Sequence, residues 1–219
     1  NTYQREKELG KSIGQYIISK LGTEIPNMNT GIMYSLFGNS IEFDVGGNYN
    51  ELNKINEWNK LQLFMLDELL IEKINTITKQ ITQDLAHGDL ILYLLDNVGE
   101  HYLDHLLINY LIQKGYEVEI VVKGKSVLND LSIDDSLDLF QNMKIWNTGN
   151  SDVGLFLSRI PDILSHRMRQ SQLIIIKGMA QFETLSSERL PATALFLFKA
   201  KCNPVAKVTD CVEGDFVVH

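Results

Sequence analysis

Residues 90–100 read LILYLLDNVGE. Six apolar residues, Leu90 to Leu95, run without a break into Asp96, Asn97, Val98, Gly99 and Glu100. So short a continuous apolar run is the pattern of a strand buried on both faces, and such strands belong to parallel sheets covered by helices. Val118 to Val122 and Leu173 to Ile176 repeat the pattern, and Met143 to Trp146 is a weaker version. Helical stretches separate them: about Gly99 to Gln113, one opened by Ser132-Ile133-Asp134-Asp135, and about Ser158 to Arg169. Thr193 to Phe198 and Asp215 to Val218 are further strand candidates. Strands alternating with helices predict an α/β fold, a mostly parallel, Rossmann-like sheet flanked by helices.

Upstream of Gly88 the pattern is helical. Leu9, Ile13, Ile17 and Leu21 give one apolar face, stopped by Gly22 and then Pro26. Thr30 to Phe37 predicts a second short helix, and Tyr34, Phe37 and Phe43 are assigned to the core. Asn48 to Asn59 reads as a surface loop or a frayed helix. Asp67 is placed as the N-cap of a helix with Leu70, Ile74, Ile77 and Ile81 on one face. The expected division is a helical subdomain over residues 1–86 and an α/β metal-binding catalytic domain over 87–219. The first residue is Asn1 rather than Met, so an N-terminal piece is expected to precede it.

Composition narrows the function. Among 219 residues, Lys+Arg number 20 and Asp+Glu 28, a net charge of −8, which lacks the basic footprint of a nucleic-acid coat. No apolar run is long enough to span a bilayer. Two cysteines, Cys202 and Cys211, with no CxxC exclude a disulfide framework and a zinc ribbon and suit a reducing cytoplasm. No GxGxxG follows the first strand and no GxxxxGK[ST] exists, which disfavours NAD, FAD and the P-loop.

Ligands of open parallel sheets bind beyond the carboxyl ends of the strands. The residues there are Asp96-Asn97-Val98-Gly99-Glu100, then Lys123-Gly124-Lys125 with Asn129-Asp130, then Asn147 to Asp152, then Lys177-Gly178 with Gln181-Phe182-Glu183. Asp96 and Asn97 read equally as a helix N-cap or as oxygen ligands for Mg²⁺ or Mn²⁺, with Asp130 supplying a further oxygen. Lys177 reads as a solvated strand end or as a phosphate clamp. Gly149, Asn150 and Ser151 form a turn able to offer N–H groups to an anion. Asn39 is the polar residue placed to face the cleft between subdomains. His101 and His105, four apart without HExxH, read as solvent-facing imidazoles. Cys202 reads as a structural thiol.

Several of these segments, in this order, resemble the damage-control phosphatases, the family built on domain of unknown function 89. They are LFGNSIEFDVG (36–46), LLDNVGEHYLDHLLINYL (94–111), VVKGKSVLNDLSIDD (121–135), NTGNSDVG (147–154), IIKGMAQFETL (175–185) and FKAKCNPVA (198–206). The resemblance implies metal-dependent hydrolysis of phosphate monoesters of small metabolites, such as sugar phosphates or phosphopantetheine-like compounds. It implies one divalent ion (Mn²⁺, Mg²⁺, Co²⁺ or Ni²⁺) held by Asp96, Asn97 and Asp130. It matches Lys177 to the family's strand-end lysine, Glu100 and Asp104 to its acidic positions, and Glu183 to its F-E-T-L segment. Two departures stand out: Gln181 replaces the usual Asn of G-N-F-E-T-L, and a paired-Cys segment is absent from residue 1 onward.

On this basis Asp96, Lys177, Glu183 and Glu100 are the catalytic candidates. Either Glu183 or Glu100 orients a water or protonates the leaving group, and the nucleophile is that water or Asp96 itself. Asn39, Gly149, Asn150, Ser151 and Lys177 are the substrate-binding candidates. The expected partner is a small phosphorylated metabolite, with no nucleic acid and no membrane, and the oligomeric state is open. The alternatives are a carboxyl methyltransferase using S-adenosylmethionine and a non-catalytic metabolite-binding module on the same fold.

Overall fold

A computed structural model describes residues 3–41, 51–135 and 137–219, with residues 51–53 described by backbone alone. Helices α1 (Gln4–Leu21), α2 (Met28–Gly38), α3 (Glu51–Phe64) and α4 (Glu68–Asp84) come first. The sheet then follows as β1 (Leu90–Leu94), α5 (His101–Gln113), β2 (Glu117–Val122), β3 (Ile145–Asn147), α6 (Asp162–Gln170) and β4 (Leu173–Lys177). The chain continues with α7 (Met179–Leu185), β5 (Thr193–Lys199), α8 (Asn203–Val208) and β6 (Phe216–Val218).

The strand order is β3-β2-β1-β4-β5-β6, parallel except for β6. The order reverses between β1 and β4, and the carboxyl ends of these two strands therefore flank the crevice where such sheets bind ligands.

Alternation along β1 explains the layers. Ile91, Tyr93 and Leu95 point to one face and share a cluster with Met28, Ile32, Leu36, Ile74, Leu107 and Leu111, so α2, α4 and α5 cover that side. Leu90, Leu92 and Leu94 point to the other and pack with Leu164, Met168, Phe182, Leu185, Val205 and Ala206 of α6, α7 and α8. Each fully buried Leu or Ile contributes roughly 1.5–3 kcal/mol. Ile13 and Ile17 of α1 join Phe37, Ile41, Leu61 and Leu103 in a third cluster. Asp67 caps α4 as expected, its side chain accepting from Leu70 N at 3.0 Å. No described helix is long and apolar enough to cross a membrane.

Four local expectations are corrected. The Asn-rich stretch that reads as loop or frayed helix enters α3 at Glu51. Ser132–Asp135 does not start an α-helix: Asp135 folds back to accept both Ser132 N–H and Ser132 Oγ, and only a single 3-10 turn follows at Asp138–Phe140. The stretch from Ser158 is broken at Pro161, which has no N–H to continue a helix, so α6 begins at Asp162. Two short helices, α7 and α8, escape the periodicity because neither completes more than two turns. Phe43, and Asp44 beside it, lie outside the described residues.

Candidate active site

Everything at the crevice is built around the carboxylate that follows β1. Asp96 Oδ2 accepts from Asn39 Nδ2 at 3.0 Å and from Asn97 Nδ2 at 2.9 Å. It can occupy this corner because residue 178, just past β4, is glycine with φ +86°: a Cβ there would meet Asp96 Oδ2 at 2.2 Å.

Asn39 is the C-cap of α2 and is buried. Its Oδ1 accepts from Lys199 N at 3.0 Å, which fixes the amide so that Nδ2 faces the carboxylates. That nitrogen reaches both Glu100 oxygens at 3.1 Å as well as Asp96. Asn97 Nδ2 donates to Glu100 Oε1 at 2.6 Å. Two amide nitrogens are thus drawn toward carboxylates. Among the described residues the side-chain hydrogen bonds of Asp96 fall on Oδ2 and those of Asn97 leave from Nδ2, which leaves Asp96 Oδ1 and Asn97 Oδ1 as the candidate ligand oxygens.

Asp130 arrives from the loop after β2. Leu131 N donates to Asp96 O at 2.7 Å and Val98 N to Asn129 O at 2.9 Å, which sets Asn97 opposite Asp130 in a short antiparallel pairing. Directly opposed residues of such a pair present their side chains on one face. Lys123 Nζ lies 3.5 Å from Asp130 Oδ2 and is itself buried, donating to Asp152 O at 2.9 Å and to Gly154 O.

Lys177 is not a solvated strand end. It is 0% exposed, and its ammonium donates to Ser35 O (2.8 Å), Asp104 Oδ1 (2.9 Å) and Glu100 Oε2 (3.1 Å). Three N–H groups meet three acceptors, so none is left over for a phosphoryl group in this arrangement. Burial works to depress its ammonium, but Asp104 and Glu100 prevail and the net direction is upward. Lys177 holds Glu100, and Glu100 holds Asn39 and Asn97.

Electrostatics bear on whether a cation fits. Asp96, Glu100, Asp104 and Asp130 carry four formal negative charges against two on Lys123 and Lys177. Burial, followed by Glu100 and Asp130, pushes the Asp96 carboxyl well above its ordinary value. Burial likewise pushes Asp130 up, against the pull of Lys123. Carboxylates so crowded are poorly compensated by the neighbouring lysines alone, and a divalent ion is a group that would supply the missing charge. Among the described residues no three His, Cys, Asp or Glu side chains are grouped so that they could hold a metal ion. The donor set is instead two carboxylates and an amide oxygen, which suits a hard ion that keeps waters and takes substrate oxygens.

The remaining candidates separate. Glu100 is 1% exposed and bound by both amides and Lys177, a holding group rather than a free base. Glu183 is exposed on α7 and makes no hydrogen bond or ion pair to the Asp96 cluster. Gln181, which replaces the expected Asn, turns inward and donates to Leu95 O at 2.9 Å, bracing the end of β1. In the turn after β3, Gly149 N–H is already taken by Asn147 Oδ1 (3.0 Å) and Asn150 Nδ2 by Arg159 O (3.1 Å). Ser151 is exposed beside them. The Gly149 N–H and the Asn150 side-chain amide are thus committed to the turn itself. His101 is not solvent-facing: it is 5% exposed, burial lowers its pKa to about 3, and Gly99 N–H donates to its Nδ1 at 3.1 Å. His105 is half-buried.

Two further cations follow strands of the sheet: Lys123, described above, and Lys201. The latter is exposed just beyond β5, and its charge acts on Asp96, lowering its carboxyl against the larger effect of burial. Both stand at strand ends, so the rule that located Asp96 was also their signal. A cavity of about 590 Å³ lies at the opposite sheet edge, lined by Ile77, Ile81, Leu85, Leu173, Ala194 and Leu195, and none of the candidates reaches it.

The chain is 29% identical over 217 residues to damage-control phosphatase PH1575 of Pyrococcus horikoshii, covering 97% of this chain and 71% of that protein. It is 30% identical over 200 residues to a damage-control phosphatase of Archaeoglobus fulgidus, covering 90% of this chain and 66% of that protein. The crystal structure of a DUF89 family protein from Pyrococcus horikoshii superposes with a TM-score of 0.82 at 25% identity, over 100% of this chain and 74% of that one. Residues 3–217 match the family described as the damage-control phosphatase ARMT1-like domain, and the chain belongs to that family.

Proposed function

We propose that the chain is a metal-dependent phosphatase acting on phosphate monoesters of small metabolites. The observation that carries this reading is the meeting of Asp96, Asn97 and Asp130 at the crevice between β1 and β4, with free ligand oxygens on Asp96 and Asn97. These three residues would hold one divalent cation, which when bound neutralises phosphoryl oxygens and makes a bound water more acidic.

The chain's own residues do the rest by position and charge. Asn39 and Asn97 hold Asp96 through Oδ2. Glu100, fixed by Lys177, keeps the Asn97 amide nitrogen turned inward. We assign the binding of a phosphoryl oxygen to Lys201 in place of Lys177, because it is exposed and its charge acts on Asp96. In the reaction, a water oxygen bonds to phosphorus, the ester P–O bond breaks, and the alcohol leaves with a proton.

The test is hydrolysis of p-nitrophenyl phosphate and of a panel of sugar phosphates and phosphopantetheine-type esters by the purified chain. Each is assayed after chelation and after adding back Mn²⁺, Mg²⁺, Co²⁺ or Ni²⁺. Phosphate release that needs metal and disappears in Asp96→Ala supports the reading. No release with any metal overturns it, and a trapped phosphoryl group on Asp96 overturns water as the direct nucleophile.

A further inference from the structure

The loop that carries Asp130 is held from a distance by the first helix. Lys7, in the opening turns of α1, is 4% exposed. Its Nζ lies 2.7 Å from Asp135 Oδ2 and 3.4 Å from Ser126 Oγ. The same Asp135 oxygen accepts Ser132 N–H at 2.8 Å and Ser132 Oγ at 2.7 Å. One buried ammonium therefore touches the loop both before and after Asp130.

α1 is also seated on the other half of the site. A Cβ on Gly99 would meet the Gly10 backbone at 2.6 Å, and one on Gly14 would meet Gly99 O at 2.6 Å. This close approach presses the helix against the turn that follows Asn97. A single rigid element thus bears on the Asp96-Asn97 turn through glycines and on the Asp130 loop through Lys7. The loop needs such a hold, because Leu128 is kept at φ +45°, a conformation costly for a side chain of its kind.

We propose that Lys7 is a positioning residue: through Asp135 and Ser126 it braces residues 126–135 so that Asp130 stays on the face it shares with Asn97. This rests on the reading of Asp96, Asn97 and Asp130 as a divalent-metal site. Bracing and bare charge predict opposite effects. An ammonium near a cation site repels the cation, so removing it by charge alone tightens metal binding. Removing a brace loosens it, and losing an outer partner of a metal ligand typically weakens affinity about 10–100-fold.

The test is Mn²⁺ binding to the metal-free chain by calorimetry, for wild type, Lys7→Met, Asp135→Asn and the double variant. Thermal unfolding of each, run alongside, confirms that only folded protein is compared. The expected result is a Kd raised about tenfold or more in each single variant. The double variant should be no worse than the weaker single, because both act through one contact. Lys7→Arg, which keeps a cationic donor toward Asp135, should recover part of the loss. Should Lys7→Met not fold, the double variant carries the test, since it removes the pair with no change in net charge and an asparagine at 135 can still accept from Ser132. Unchanged or tighter Mn²⁺ binding in the folded variants overturns the brace. Failure of the wild-type chain itself to bind Mn²⁺ sinks the metal-site reading, and the brace falls with it.

Discussion

Lys177 Nζ and Asp104 Oδ1 stand 2.9 Å apart, and neither side chain is open to solvent. The pair lies beneath the candidate site. Asp104 Oδ1 also accepts from Tyr93 OH at 2.8 Å and Ser35 Oγ at 2.7 Å, while Asp104 Oδ2 has no hydrogen-bond partner among the described residues. Removing one member of a buried pair leaves the other charge uncompensated, typically at a cost of 3–5 kcal/mol. Lys177→Met should therefore lose roughly that much stability in urea unfolding. It should also disorder Glu100, and so cost activity without any direct contact to substrate. A variant of wild-type stability with unchanged kinetics would count against this role.

Asp96→Asn should separate stability from function. Burial, Glu100 and Asp130 all disfavour the Asp96 anion, so a neutral isostere relieves the metal-free protein. The expected outcome is a higher urea midpoint without metal, on the order of 1 kcal/mol, with metal-dependent turnover lost. Paired unfolding and phosphate-release measurements check both halves.

How much of this was legible can be argued residue by residue. The fold was, because Leu90–Leu95 and Leu173–Ile176 carry the unbroken apolar signature of doubly covered strands. The meeting of Asp96, Asn97 and Asp130 was, because all three follow the adjacent strands β1 and β2 beside the switch point. Lys177 was placed at the right strand end, but its burial was not visible. Its partners lie 142, 77 and 73 residues away, and no local pattern records such pairings. The burial of His101 was not visible for the same reason: Phe140, remote in sequence, packs against its ring, and helical spacing does not record that contact. The Ser132 helix failed because Asp135 serves the loop and Lys7 instead of an advancing helix.

His101 makes stability depend on pH with a definite sign. Its folded pKa is depressed to about 3 by burial, so its contribution is fully present above the unfolded value and declines as pH falls toward 3. Lowering pH from 7 to 5 should remove about 2 kcal/mol through this residue. His101→Phe should lose that part of the dependence, read as a smaller change in urea midpoint between the two pH values than wild type shows.

Lys201→Ala tests the reassigned phosphate clamp. The side chain is exposed, so stability should stay within about 0.5 kcal/mol of wild type. Losing a charge aimed at the phosphoryl group should lower kcat/KM by about 10²–10³-fold. The wild-type rate should fall more steeply with added salt than the variant's, because a partly exposed cation is screened. Full activity and an unchanged salt dependence in Lys201→Ala would overturn the assignment.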